Sequence, residues 1–136
     1  MLAIPEGTEA IFLKEAFIHR QITAGIESLF AGWGYLPCLT PVFDFYDIYR
    51  PLLKTISSAK IYRLIDRDGD LLMLRPDITL FLARQIAPFL KTIKMPARVS
   101  YGDIIMRHQN REDISRNEFF QIGAELIGKE GMDGDL

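Results

Sequence analysis

Two long apolar runs constrain this chain more than any other feature: ARVSYGDIIM at Ala97–Met106 and EFFQIGAELI at Glu118–Ile127. Both are dense in β-branched, aromatic and aliphatic residues and free of proline, which is the composition of strands. Between them, one loop crowds together Arg107, His108, Arg111, Glu112, Asp113 and Arg116. Two such strands in succession read as an antiparallel pair, and side chains two or four apart on a strand share a face. Arg107 is thereby brought toward Gln121 and Glu125, across or diagonally from the second strand, at positions where apolar residues would pack better.

The other elements must be built round that pair. Pro5-Glu6-Gly7-Thr8 reads as a turn, with Thr8 as a candidate helix cap. Ile11, Ile18, Ile22, Leu29 and Trp33 then recur at helical spacing and form one face of an amphipathic helix, which Gly32 and Gly34 stop. Tyr35 to Leu39 is a short strand ended by Thr40-Pro41. Phe43 to Leu53, dense in aromatics, is a strand followed by a short helix. Lys60 to Asp66 and Leu71 to Leu74 flank Arg67-Asp68-Gly69-Asp70, whose Asp-Gly step is a hairpin signal. Asp77 caps a helix from Ile78 to Leu90 that carries Leu82, Ile86 and Phe89 inward, with Pro88 near its end.

This order lacks βαβ alternation and any glycine-rich phosphate loop, which argues against a doubly wound parallel sheet. The expected fold class is α+β, an antiparallel sheet flanked by helices packed on one face. The closing KEGMDGDL has turn residues leading nowhere, and a strand pair of this length needs more sheet beside it. Residues 1–136 are therefore expected to be the N-terminal part of a single, longer domain.

Composition mainly excludes. The chain has 136 residues, 49% of them hydrophobic and 25% charged, as in an ordinary globular protein rather than a disordered one. A formal net charge of −2 gives no broad reason to bind nucleic acid. The single cysteine, Cys38, rules out an internal disulfide framework and fits a reducing, cytoplasmic setting. It lies in an apolar run and reads as strand filler. No stretch approaches the roughly 18 apolar residues of a membrane span. His19 reads as a surface residue. His108 lacks partners at metal-ligand spacing, and no serine or cysteine sits in a nucleophile motif. Asp66, Asp68 and Asp70 alternate as in a calcium loop but lack its downstream glutamate, which leaves a solvated turn.

One constellation survives. Arg75-Pro76-Asp77-Ile78-Thr79 is a polar cluster at a strand-to-helix junction, where free backbone amides would receive an anion. Asp77 and Glu125 suit an ammonium group, and Arg107 suits a carboxylate or phosphate. Spacing alone leaves two readings open: a pocket for a zwitterion such as an amino acid, with room for a nucleotide, or a plain helix cap beside a solvated strand carboxylate.

The segments PEGT at Pro5–Thr8, WGYLPCLTPVFDFYD at Trp33–Asp47, RLIDRDGDLLMLRPDITLFLAR at Arg63–Arg84, and ARVSYGDIIMR with EFFQIGAELIG within Ala97–Gly128 together carry a resemblance. In this order they resemble the class II histidyl-tRNA synthetases and their non-catalytic relatives, the regulatory subunits of ATP phosphoribosyltransferase. The resemblance implies a class II synthetase-like domain. It places Pro41 of motif 1, with Phe43 and Tyr46, at a homodimer interface. It makes Arg107 the motif 2 arginine, and Asp77, Thr79, Gln121 and Glu125 histidine-pocket residues.

Departures from the synthetase pattern favour the regulatory branch. Ile78 stands where the synthetases have glycine and is expected to narrow the site. Gln109 replaces a motif 2 glutamate used towards the adenosine, and ISRNEFFQ lacks the arginine-rich approach of the ligases. The resemblance thus implies a chain without catalysis or cofactor of its own, which binds histidine and the short-form catalytic subunit and helps convey feedback in histidine biosynthesis. The alternatives are an ATP-dependent histidine–tRNA ligase, which would engage tRNA, and a synthetase-like module for another amino acid.

Overall fold

A computed structural model of the chain describes residues 4–53, 57–109 and 116–131. The paired runs form β5 (Ala97–Met106) and β6 (Glu118–Ile127), antiparallel from Ala97 opposite Ile127 to Met106 opposite Glu118. A short strand, β1 (Leu36–Pro37), adds to the other edge of β5 and runs parallel to it, a pairing that an all-antiparallel expectation missed. Parallel neighbours need a long crossover. Here the crossover contains a second sheet, β2 (Phe43–Phe45), β4 (Leu71–Leu74) and β3 (Arg63–Ile65) in the order β2-β4-β3, all antiparallel.

The β3–β4 turn closes as Asp-Gly predicts. The Asp66 carboxylate accepts hydrogen bonds from the amides of Asp68 and Asp70, both at 2.9 Å, and Gly69 takes φ +90°. The strand expected over Lys60–Asp66 is shorter, because Ser58–Lys60 winds into a 3₁₀ turn capped by the Ser57 hydroxyl.

Helices cover both faces of the β1-β5-β6 sheet, not one. Helix α3 (Ile78–Ile86) buries Ile78 and Leu82 against Tyr101 and Ile105. Helix α1 (Leu13–Gly32) sets His19 edge-on to Phe120, with ring centroids 5.1 Å apart. Phe120 alternates with Phe119 and Gln121 along β6, so α1 lies on the face opposite α3. Helix α3 stops at Ile86 and passes into a 3₁₀ turn over Ala87–Phe89. Pro88 has no amide to continue the α-helical ladder, and Phe89, expected inside, is exposed.

Helix α1 departs furthest from expectation. It begins at Leu13 without a side-chain cap, while the Thr8 hydroxyl donates to the Pro5 carbonyl at 2.8 Å and closes the preceding turn. Its half-buried residues are Ala16, Thr23, Ile26 and Phe30. The face of Ile11, Ile18, Ile22, Leu29 and Trp33 points to solvent, from 40% exposed at Ile11 to 67% at Trp33. Apolar residues occupy both sides of this helix, so periodicity finds a stripe but cannot say which stripe meets the sheet.

A buried arginine joins the two sheets. Arg75, 1% exposed, follows β4 and directs its guanidinium into the core. Nη1 donates to the Thr40 carbonyl at 2.8 Å, the Thr40 hydroxyl at 2.9 Å and the Pro41 carbonyl at 3.2 Å. Nε and Nη2 reach the Ile104 carbonyl at 3.2 and 2.7 Å, and Nη2 lies 2.9 Å from the Asp103 carboxylate. Close by, a triad around the buried Tyr49 ties β2 to α2 (Tyr46–Tyr49) and α3. The Asp44 carboxylate accepts from the Tyr49 hydroxyl at 2.8 Å and pairs with Arg84 at 2.9 Å. The Tyr49 ring stacks on Phe81.

Deleting one member of a buried charged network leaves its partners desolvated and unsatisfied. Arg75→Ala is therefore expected to lower the unfolding free energy by about 3–5 kcal/mol in urea titration. Arg75→Lys should rescue little, since an ammonium cannot span both strands as the planar fork does. A loss near zero for Arg75→Ala would remove this residue from the core's supports.

Candidate functional site

The site is built where β4 turns into α3 and faces β6. Pro76 biases the residue before it away from helical backbone. Asp77, at φ −160° and ψ 133°, serves as the N-cap, with Oδ1 accepting from the Leu80 amide at 3.0 Å. Its other oxygen, Oδ2, accepts from Gln121 Nε2 at 3.3 Å, while Gln121 Oε1 accepts from the Ile78 amide at 3.0 Å. Of the amides at the start of α3 expected to await an anion, those of Ile78 and Leu80 are thus engaged by Gln121 and Asp77. The junction presents a carboxylate rather than bare donors.

At the second residue of α3, Thr79 Oγ1 donates to Glu125 Oε1 at 2.9 Å and lies 2.9 Å from the Tyr101 hydroxyl. Tyr101 also reaches Glu125 Oε1 at 3.5 Å. Burial, together with the neighbouring Glu125 and Asp77 carboxylates, pushes the Tyr101 phenol above its ordinary value, and the Thr79 contact only partly opposes this. Tyr101 is therefore a neutral donor across the physiological range.

Arg107 begins the loop beyond the last β5–β6 pair, its amide donating to the Asn117 carbonyl at 2.8 Å. Its guanidinium lies 5.5 Å above the centre of the Phe119 ring, and its buried Nε has no hydrogen-bond partner among the described residues. The expected meeting with Gln121 and Glu125 is not made by hydrogen bonds, because Phe119 occupies the intervening position on that face. Asp77 and Glu125 likewise form no ion pair among the described residues. Among the described residues, two carboxylates without a cation and a guanidinium nitrogen without an acceptor thus lie along the same face of the strand pair.

The other charges of the loop are partly accounted for. His108 stacks on Tyr62 with ring centroids 3.6 Å apart, and Arg116 pairs with Glu9 at 2.5 Å. Arg111, Glu112 and Asp113 lie outside the described residues. The PEGT turn docks at the loop's far end: the Gly7 carbonyl accepts from the Asn117 amide at 2.8 Å, and the Asn117 side chain accepts from the Gln109 amide at 2.8 Å. Ile78 is buried in the α3–sheet core. Cys38 packs at the edge of that core as an apolar filler, with burial pushing its thiol up.

Of the residues expected at a dimer contact, Pro41 and Phe43 are exposed, and Arg75 holds the Pro41 carbonyl from inside. Tyr46 is buried in this chain's own core, with Arg63 over its ring. Sequence reasoning missed Tyr101, although alternation from Arg107 back along β5 puts it on the site's face. It also grouped Arg75 with the site, since nothing local marks a side chain that turns inward to distant carbonyls.

Comparison with known proteins fits this geometry. The profile of the family described as Histidyl-tRNA synthetase matches residues 7–136. A protein of Moorella thermoacetica named ATP phosphoribosyltransferase regulatory subunit is 33% identical over 135 residues, 99% of this chain and 35% of the relative. A regulatory subunit so named from Alkaliphilus metalliredigens is 32% identical over 97% of this chain and 33% of its own length. The chain thus spans about a third of these relatives.

Among solved structures, a Bacillus halodurans protein described as an ATP phosphoribosyltransferase regulatory subunit/histidyl-tRNA synthetase superposes with a TM-score of 0.86 at 29% identity, covering 99% of this chain and 35% of that one. Apo histidyl-tRNA synthetase of S. aureus, 23% identical over 99% of this chain and 31% of that one, shares the fold with a TM-score of 0.81. The strand pair, the capped junction and the profile match all lead to one assignment: the chain belongs to the histidyl-tRNA synthetase family.

Proposed function

We propose that this chain is part of a non-catalytic regulatory subunit of ATP phosphoribosyltransferase, which binds histidine and the catalytic subunit in the cytoplasm. The observation that carries the ligand reading is the unmatched charge of the site. Asp77 and Glu125 are held in place by hydrogen bonds but have no cation among the described residues, and Arg107 Nε has no acceptor among them. An amino acid supplies both, its ammonium to the carboxylates and its carboxylate to the guanidinium. The names of the relatives favour the regulatory role, and Gln109 in place of an acid weakens the case for adenosine. To regulate, histidine must bind two states of the assembly unequally, since equal affinity shifts nothing.

In the full-length protein, Glu125→Ala is expected to lose about 2–5 kcal/mol of histidine binding by calorimetry, the cost of removing one partner of a buried charged contact. Unchanged affinity would take Glu125 out of the site.

The ligase reading keeps one specific support, the Arg107 Nε left without an acceptor among the described residues, which an activated carboxylate or α-phosphate would also satisfy. Pyrophosphate exchange separates the two. The full-length protein is expected to show no histidine-dependent exchange of pyrophosphate into ATP, and robust exchange would establish the ligase.

We further propose a two-fold homodimer through the segment around Pro41 and Phe43. Aromatic residues are enriched at interface cores, and two-fold pairs are the commonest homo-oligomers. A charge at Phe43, 53% exposed here, is met by its own copy in such an interface. Phe43→Asp should therefore halve the mass seen by light scattering while leaving the melting temperature of the fold in place. Tyr46, buried in the chain's own core, is unsuited to this test. A folded Phe43→Asp protein of unchanged mass would rule the segment out.

A further inference from the structure

We infer that Tyr101 is a positioning residue for Glu125, and that residue 123 is glycine to admit its phenol. The inference rests on the histidine-binding reading for its ligand, but its geometry stands on the unliganded chain. Tyr101 and Gly123 are directly opposed in the β5–β6 ladder. A Cβ at position 123 would lie 2.5 Å from the Tyr101 hydroxyl oxygen, 2.6 Å from Cζ and 3.0 Å from Cε2, closer than any unbonded carbon comes. The phenol therefore crosses the strand through the space that a side chain on β6 would fill.

Its direction is set by what it reaches. At 8% exposure the ring is enclosed by Ile78, Leu82 and Ile105. Its hydroxyl ends 2.9 Å from Thr79 Oγ1, and Thr79 in turn donates to Glu125 Oε1 at 2.9 Å. Thr79 has one proton, and Glu125 takes it, so Tyr101 is the donor to Thr79. The chain of donors runs Tyr101 to Thr79 to Glu125 and fixes one carboxylate oxygen, leaving the other to address a ligand. Tyr101 itself need touch no ligand.

A merely structural tyrosine would look similar in the free chain but behave differently under substitution. The test uses the full-length protein with L-histidine as the calorimetric probe. Tyr101→Phe keeps the ring and removes the donor, and should weaken histidine binding about five- to tenfold, the scale of one lost hydrogen bond, without lowering the melting temperature by more than a few degrees. The same substitution in a Glu125→Gln background should have no further effect on affinity. A structural role instead predicts equal losses in both backgrounds. Gly123→Ala should weaken binding at least as much as Tyr101→Phe.

Crystal structures of the unliganded variants complete the test. The Thr79–Glu125 contact should be broken or displaced in both Tyr101→Phe and Gly123→Ala. If the parent protein binds no histidine, the ligand reading falls, and the unliganded structures alone decide the positioning role. An unmoved Glu125 in those structures overturns the inference, as does unchanged histidine affinity in Tyr101→Phe.

Discussion

The fold depends on one guanidinium. Arg75 stands where β4 leaves the smaller sheet, and its donors reach the Thr40–Pro41 link on one side and Ile104 and Asp103 of β5 on the other. A buried charge is costly unless it is paired and hydrogen-bonded. Here the donors of the fork meet backbone carbonyls, a hydroxyl and a carboxylate. Those partners come from segments far apart in sequence, so the residue acts only once the chain has folded, and it then fixes the offset of the two sheets. That offset brings the start of α3 against β6, which is why Asp77 and Thr79 meet Gln121 and Glu125.

The site itself shows a division of labour between hydrogen bonds and charge. Gln121 bridges the helix cap and the first helical amide, so its orientation is set by complementary partners at both ends. Thr79 holds Glu125 with a neutral donor, and Tyr101 backs Thr79 in turn. Neutral donors orient a carboxylate without pairing it, whereas an ion pair would offset the field it presents to a bound cation. Arg107, on the same face of the strand pair, lies over Phe119 instead.

Local signals and long-range signals were unequally legible in the sequence. The ends of β5 and β6, the Asp77 cap and the Asp66–Asp70 turn were readable because alternation, capping and turn chemistry are properties of neighbours in sequence. The parallel docking of β1 was not, since it depends on where a crossover of two elements and a sheet returns the chain. Arg75 illustrates the same limit: a charged residue before Pro-Asp reads as site chemistry until the carbonyls it serves are known. For Asp77, Thr79, Gln121 and Glu125, strand alternation supplied the shared face on β6, and family resemblance supplied the grouping with α3. Tyr101 lay on the same face and was passed over because an aromatic in a strand is so readily taken for core.

Helix α1 has a consequence for handling the protein. Its outward stripe of isoleucine, leucine and tryptophan lies on a chain whose formal charge is only −2. Apolar patches beyond a few hundred Å² drive association, and weak net charge supplies little repulsion between molecules. Colloidal behaviour is thereby set by whatever shelters this stripe. For this chain, a salting-out salt such as sulfate, which screens the remaining repulsion and strengthens apolar contact, favours self-association, whereas added acidic residues on that helix oppose it.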